Sequence, residues 1–312
     1  MVITKRIAPC PSPQLLDLWK NTFGEAEANL ETPQIDGSEL DNNMDILYLA
    51  EDGQTLAGSI HATLPNHART LCGLSGMCVA PRYRGIGLSR TLFAHMMSYL
   101  EGSGTNAFFL GTNNPIAAKL YASFGFGFLP GSNVMAKFKA GSFLDFSRHL
   151  YSLPPKTFQI VSGSPAMRIP IIPLVLLQTN QFLLDCNTGL FSSAAVTQKS
   201  CMGLYQKYVS LCTAGGSYFG VLNENGTLGA VASIMPTPSG HRIDYFCCDS
   251  FSSTIPELLN TCFSKFPASY FCVSAIDFEK QACLSSLGFK KKTSTTLQFG
   301  SFYLPCFTYS KD

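Results

Sequence analysis

The chain has 312 residues, is 46% hydrophobic, and carries 22 lysines and arginines against 20 aspartates and glutamates, for a net charge of +2. That is enough apolar material to core one or two domains, more naturally two; it excludes a disordered chain and gives no bulk electrostatic argument for nucleic acid or an anionic membrane. No apolar run reaches the roughly 18 residues of a membrane span, and the nearest, Ile169 to Leu177, is interrupted by Pro170 and Pro173.

In chain order, a strand is expected near Val2 to Ile7 and a helix near Pro13 to Thr22, with Leu15, Leu16 and Trp19 on one face. A less regular stretch runs to Asn43. "LYLAEDGQTLAGSIHATLP", from Leu47, then reads as a hairpin with a D-G turn. A strand follows near Leu71 to Val79, and after it a glycine-rich basic turn, "APRYRGIG". Leu88, Leu92, Phe93, Met96, Met97 and Leu100 place a helix over Leu88 to Leu100. A strand near Ala107 to Gly111, a helix near Pro115 to Phe124 and a strand near Val134 to Phe138 complete the unit.

The plan then recurs. "YFGVLNENGTLGAVASIMP", from Tyr218, repeats the hairpin with an N-G turn, and "CLSSLGFKK" around Gly288 echoes "LYASFGFGF" around Gly125. Each echo is a helical stretch ended by glycine, as a C-cap requires. The offsets are 226 − 53 = 173 at the hairpin and 288 − 125 = 163 at the glycine. Two landmarks in the same order predict two domains of one fold, 1–150 and 151–312. The join falls between Tyr151 and Ser164, in "SLPPKTFQIVSGSP". Helices alternating with hairpins imply α/β layers around a mainly antiparallel sheet.

The twelve cysteines include Cys72, Cys78, Cys262, Cys272 and Cys283 in apolar contexts, where they read as small buried hydrophobes, and no C-x-x-C pair occurs. No metal site is expected. The start of the chain lacks the apolar core of a secretory leader, so the expected compartment is the cytoplasm.

Chemistry concentrates at Arg82, Gly85 and Gly87, an R-x-x-G-x-G array between a strand and a helix. A helix N-terminus offers unpaired N–H groups and the positive end of its dipole, and glycine lets an anion approach them closely. The turn is neither a Walker turn, with no Gly-Lys-Ser/Thr, nor a dinucleotide fingerprint, which needs a third glycine.

The run "MCVAPRYRGIGLSRTL" resembles the acetyl-CoA segment of the GNAT acetyltransferase superfamily, and "NPIAAKLYASFGF" resembles that family's later motif through Asn114, Ala117, Leu120, Tyr121, Gly125 and Phe126. The resemblance implies two tandem GNAT-like domains of α/β (α+β) class, each a mixed, mainly antiparallel sheet flanked by helices. It implies transfer of an acetyl group from acetyl-CoA to an amine by direct attack in a ternary complex. The backbone of Met77, Cys78 and Val79 would pair with the pantetheine arm. The N–H groups of Arg84, Gly85, Ile86, Gly87, Leu88 and Ser89 would hold the pyrophosphate, with Arg90 in reach of a CoA phosphate. Asn114 would orient the pantetheine or its own strand.

Tyr121 would protonate the departing thiolate, or else be a core aromatic. Family members often carry a carboxylate on the strand before the turn, whereas "RTLCGLSGMCVAP" has none. His61 is the candidate base, beside a purely structural role. In the second copy "SFSS" replaces the glycine turn and Leu284 falls opposite Tyr121, since 284 − 163 = 121. That copy is expected to be silent. The implied partner is a small-molecule or peptide amine, with no nucleic acid or membrane; a non-catalytic acetyl-CoA sensor is the alternative.

Overall fold

The computed structural model describes residues 1–177 and 182–311. The first half runs β1 (Val2–Ile7), α1 (Pro13–Phe23), α2 (Glu25–Ile35), β2 (Asn43–Asp52), β3 (Thr55–Pro65), β4 (Leu71–Val79), α3 (Leu88–Glu101), β5 (Ala107–Gly111), α4 (Pro115–Ala122), β6 (Gly127–Phe128) and β7 (Val134–Phe138). Its sheet has the order β1-β2-β3-β4-β5-β7-β6, antiparallel except where β4 meets β5. After α5 (Phe143–Tyr151) come β8 (Phe158–Ser162), α6 (Ile171–Leu177), the small pair β9 (Leu183–Asp185) and β10 (Leu190–Phe191), and α7 (Met202–Thr213). Then follow β11 (Ser217–Asn223), β12 (Leu228–Thr237), β13 (Gly240–Cys247), α8 (Ile255–Lys265), β14 (Ser269–Ser274), α9 (Phe278–Ser286), β15 (Lys290–Phe299) and β16 (Phe302–Ser310). The second sheet reads β8-β11-β12-β13-β14-β16-β15, again with one parallel pair, β13 with β14. The two sheets have the same topology strand for strand.

Elements with a strong local signal fall where the sequence puts them. Ser12 caps α1 through its side chain, with Pro13 at the first helical position, where a missing N–H costs nothing. Three elements depart from expectation. α2 occupies the stretch read as irregular; it contains Pro33, and its buried residues, Ala28, Gln34 and Ile35, make no continuous apolar stripe. β8 begins inside the stretch read as the join, and α6 forms from the apolar run Ile169 to Leu177.

One face of the first sheet packs on α3 and α4 through Ile60, Leu74, Leu92, Phe93, Met96 and Leu110. The opposite face is shared. At one end its Leu47 and Leu49 pack with Leu15, Leu18 and Trp19 of α1. Further along, Leu71, Ala107 and Phe109 join one continuous core with Ile169, Met202, Val231 and Phe246 of the second half. A buried ion pair, Arg168 with Glu39, and backbone bonds Asn133 N–H to Gln198 O (2.8 Å) and Gln198 N–H to Gly131 O (3.0 Å) tie the halves together. Among the described residues, no helix is long and apolar enough to cross a membrane.

Candidate active site

The site begins where two parallel strands part. β4 has nine residues, but only Leu71, Cys72 and Gly73 pair with β5. Beyond Gly73 the β5-facing edge of β4 has no strand beside it among the described residues, so backbone groups there, apart from Val79 O, are open to a guest. The cause is a bulge. Ser59 pairs with Cys78 and His61 with Ser75, so Gly76 and Met77 together oppose Ile60. Bulges bend a strand and raise its twist. Gly76 has φ +57°, and a Cβ there would fall 2.8 Å from the Trp19 ring. The backbone of Met77, Cys78 and Val79 lies on this free edge. The Cys78 side chain is buried, its Sγ 3.3 Å from Ser59 Oγ, and burial raises its pKa, so the thiol packs and is no nucleophile.

The turn follows. Gly85 and Gly87 take φ +82° and +81°, and Gly87 is the N-cap of α3 with no side chain capping the helix. The N–H groups of Gly85, Ile86, Gly87, Leu88, Ser89 and Arg90 find no acceptor among the described residues. A Cβ at Gly85 or Gly87 would meet nothing within 4 Å, so the space before these amides is open. Arg84 departs from expectation. Its N–H donates to Pro81 O (3.2 Å) and its Nε to Val79 O (3.0 Å), so it braces the turn and its amide is already spent. Arg82 and Arg90 lie over the Tyr83 and Phe124 rings, at 4.7 and 5.6 Å, and neither pairs with a carboxylate among the described residues.

Asn114 caps α4, its Oδ1 accepting from Ile116 N (2.9 Å) and Ala117 N (3.4 Å). Its observed work is to orient the helix. About two turns later, Tyr121 is buried against Phe93, ring centroids 5.0 Å apart. Burial, with Cys78 nearby, pushes its phenol up to about 12, so the hydroxyl keeps its proton at neutral pH. Its hydroxyl forms no hydrogen bond among the described residues.

His61 does not fit the base. It is fully buried, with Nε2 2.9 Å from Asp45 Oδ1, and Nδ1 2.9 Å from Ser75 Oγ and 3.4 Å from Glu31 Oε2. Burial alone would lower its pKa, but Asp45 and Glu31 outweigh that and raise it to about 9. An imidazolium has no lone pair to receive a proton. Sequence reasoning passed over its partners. Asp45 had a weak signal, a charge inside the apolar strand β2, whereas Glu31 had none because α2 shows no period.

The second half shows what an occupied gap looks like. β13 pairs with β14 only over His241 to Ile243, so these strands part as well. Lys280 of α9 reaches across to Asp244 of β13, Nζ to Oδ1 2.7 Å, and also meets Leu184 O (3.4 Å) and Asp277 Oδ2 (3.8 Å). Burial opposes its charge, but Asp244 and Asp277 more than offset this and raise its pKa. Where the first half has its glycine turn, residues Asp249–Thr254 form a short 3-10 helix. Phe251 is buried there against Gly229, where a Cβ would fall 2.2 Å from its ring.

Residues 12–126 match the model of the acetyltransferase (GNAT) family. No curated protein matches the chain in sequence. Among solved structures, it is similar to a GNAT-family N-acetyltransferase from Escherichia coli in complex with CoA, at 23% identity over 44% of this chain and 82% of that one, TM-score 0.34. An acetyltransferase from Salmonella typhimurium with acetyl-CoA shares 13% identity over 49% of this chain and 93% of that one, TM-score 0.36. One from Acinetobacter baylyi shares 13% over 49% and 91%, TM-score 0.38.

Proposed function

We propose, from the membership of residues 12–126 in the GNAT acetyltransferase family, that the chain moves an acetyl group from acetyl-CoA to an amine by direct attack in a ternary complex. The observation that carries this is the run of unpartnered amides from Gly85 to Ser89, at the N-terminus of α3 and beside a strand edge with no neighbour. Together they suit an anionic head joined to a hydrogen-bonding arm. The chemistry belongs to residues 1–150, and 151–312 is a silent copy of the same fold. Cytoplasmic residence suits cysteines held as thiols.

In the reaction the neutral amine nitrogen attacks the thioester carbon, the C–S bond breaks with its electron pair going to sulfur, and the proton that nitrogen loses passes through solvent to the departing thiolate. In this reading the Tyr121 hydroxyl donates a hydrogen bond to that sulfur. With its pKa near 12 it is a better hydrogen-bond donor to the thiolate than a full proton donor. A second reading, an acetyl-CoA-binding module without turnover, is favoured by the lack of any Asp or Glu on β4.

Calorimetric titration with acetyl-CoA, beside an assay of thiol release over a panel of amines, tests both. One acetyl-CoA per chain with amine-dependent release is expected. Binding without release on the whole panel supports the second reading, and no binding overturns both.

A further inference from the structure

The second half has lost the glycine turn, but it has also gained an element. In the first half only Gly24 separates α1 from α2, whereas in the second β9 and β10 stand between α6 and α7. A pocket of about 280 Å³ lies beside this insertion. Gly189 and Phe191 of the hairpin line it, with Val196 and Lys199 after them and Leu204 and Lys207 on α7. Its size is at the small end of ligand sites, which run ~300–1,000 Å³. None of its lining residues belongs to β4, α3 or α4.

The hairpin is held rigidly from behind. Asp185 Oδ1 accepts from Asn187 N (2.8 Å) and Ser233 Oγ (2.8 Å), and its Oδ2 accepts from the Tyr208 hydroxyl (3.1 Å). Asn187 Nδ2 donates in turn to Ser233 Oγ (2.9 Å) and Arg242 O (3.0 Å). This turn presents the carbonyls of Thr188 and Gly189, to which Lys207 Nζ donates at 3.4 and 3.1 Å. Phe191 is fixed by edge contacts with Phe182, Phe299 and Phe302, ring centroids 5.7, 5.2 and 5.9 Å away.

The two carbonyls hold the ammonium without neutralising it. An ammonium has three N–H donors, so one remains. Lys207 is half-buried and forms no ion pair among the described residues. Burial lowers its pKa, and Asp185 only partly offsets this. Lys199, exposed at the rim, has no carboxylate partner among the described residues either. No Asp or Glu lines the pocket. Two positive charges therefore stand beside apolar walls without a counter-ion, and an unpaired cation out of water is costly.

We infer that this pocket binds a small carboxylate with an apolar body, the carboxylate on Lys207 and the body against Phe191, Val196 and Leu204. The contact is a charge-assisted hydrogen bond from Nζ–H to a carboxylate oxygen, and Lys199 adds attraction at the rim. The site goes beyond acetyl transfer and does not depend on it.

The test titrates full-length protein by calorimetry with phenylacetate and octanoate. Phenylacetamide, which lacks the charge, and inorganic phosphate, which lacks the apolar body, are the controls. At least one carboxylate should bind, more tightly than either control, and saturating acetyl-CoA should leave its affinity unchanged. Lys207→Met keeps an apolar stem and removes the ammonium, and should lose about 10- to 100-fold in affinity. Val196 is 46% exposed, so Val196→Glu leaves the fold intact while setting a negative charge at the wall, and should weaken binding by a like factor. Lys199→Gln should lose less. The assignment is overturned if the wild type binds neither carboxylate or binds a control equally well, or if acetyl-CoA competes. Full affinity in Val196→Glu, or in a folded Lys207→Met, overturns it too. Failure of the wild type to bind acetyl-CoA overturns the acetyl-transfer reading alone.

Discussion

β4 with β5, and β13 with β14, are the same parting of two strands, one left open and the other plugged. Aligning Gly288 on Gly125 places Lys280 on Ala117, since 280 − 163 = 117, and Asp277 on Asn114, since 277 − 163 = 114. Both caps still start their helices, Asn114 through Ile116 and Ala117, Asp277 through Lys280. The helix is preserved and its inward chemistry replaced. A small, half-buried alanine leaves the first gap free, whereas a lysine fills the second and is neutralised by Asp244. The fold, held by strand pairing and capping, and the site, held by a few inward side chains, change independently.

Removing the plug should give the largest effect. Lys280→Ala leaves Asp244 and Asp277 buried without their cation, which costs about 3–5 kcal/mol. Chemical denaturation should show that loss, while acetyl-CoA stoichiometry stays at one per chain. A second equivalent bound by this variant would mean that the lysine alone silences the copy.

In the open gap, Gly87→Glu puts a carboxylate and a Cβ at φ +81° beside the free amides. Acetyl-CoA affinity should fall at least on the order of 100-fold, from charge repulsion and lost approach. Gly87→Ala, which shares the backbone strain without the charge, should fall less; equal losses would make strain the whole cause. Calorimetry separates the two.

Tyr121→Phe is the chemical counterpart of the natural Leu284. Turnover should drop about 100-fold, the low end for a positioned proton donor, with acetyl-CoA affinity intact. Wild-type kcat in this variant would make the ring a packing residue beside Phe93.

The smallest effect concerns the buried histidine. His61 is raised to about 9 in the folded chain against ~6.5 unfolded, so its pairing stabilises fully below the unfolded value. That stability is lost as pH rises through the folded one. Between pH ~6.5 and ~7.5, about a unit below the ordinary thiol pKa of ~8.5, the wild type should lose about 1 kcal/mol. His61→Gln should show a flat profile there, and an equal slope in both proteins would mean the imidazole is neutral.

Sequence made the framework legible because it is written in backbone requirements. Gly85, Gly87, Gly125 and Gly288 mark turns where φ is positive, and the hairpin turns at Gly53 and Gly226 mark the register of two sheets. The Lys280 plug was within reach of the same alignment, but Lys on a helix reads as solvent-facing until the parted strands beneath it are known. Arg84 looked like another amide of the cradle, and only the 3-10 turn at Pro81–Tyr83 uses that N–H up. Glu31 left no trace, because α2 lies over the sheet with polar residues inward at Glu31 and Gln34, and no hydrophobic period announces it.

The core that Leu71, Ala107 and Phe109 share with Ile169, Met202 and Phe246 bears on what the second half does for the first. Units that own separate cores melt in separate transitions; those that own one melt together. A scanning calorimeter should therefore record a single endotherm for this chain. A fragment ending at Tyr151 should precipitate or bind hydrophobic dyes, because it bares the face around Gly73 and leaves Glu39 without its guanidinium. Whatever its own chemistry, the second half is the other wall of the first half's interior.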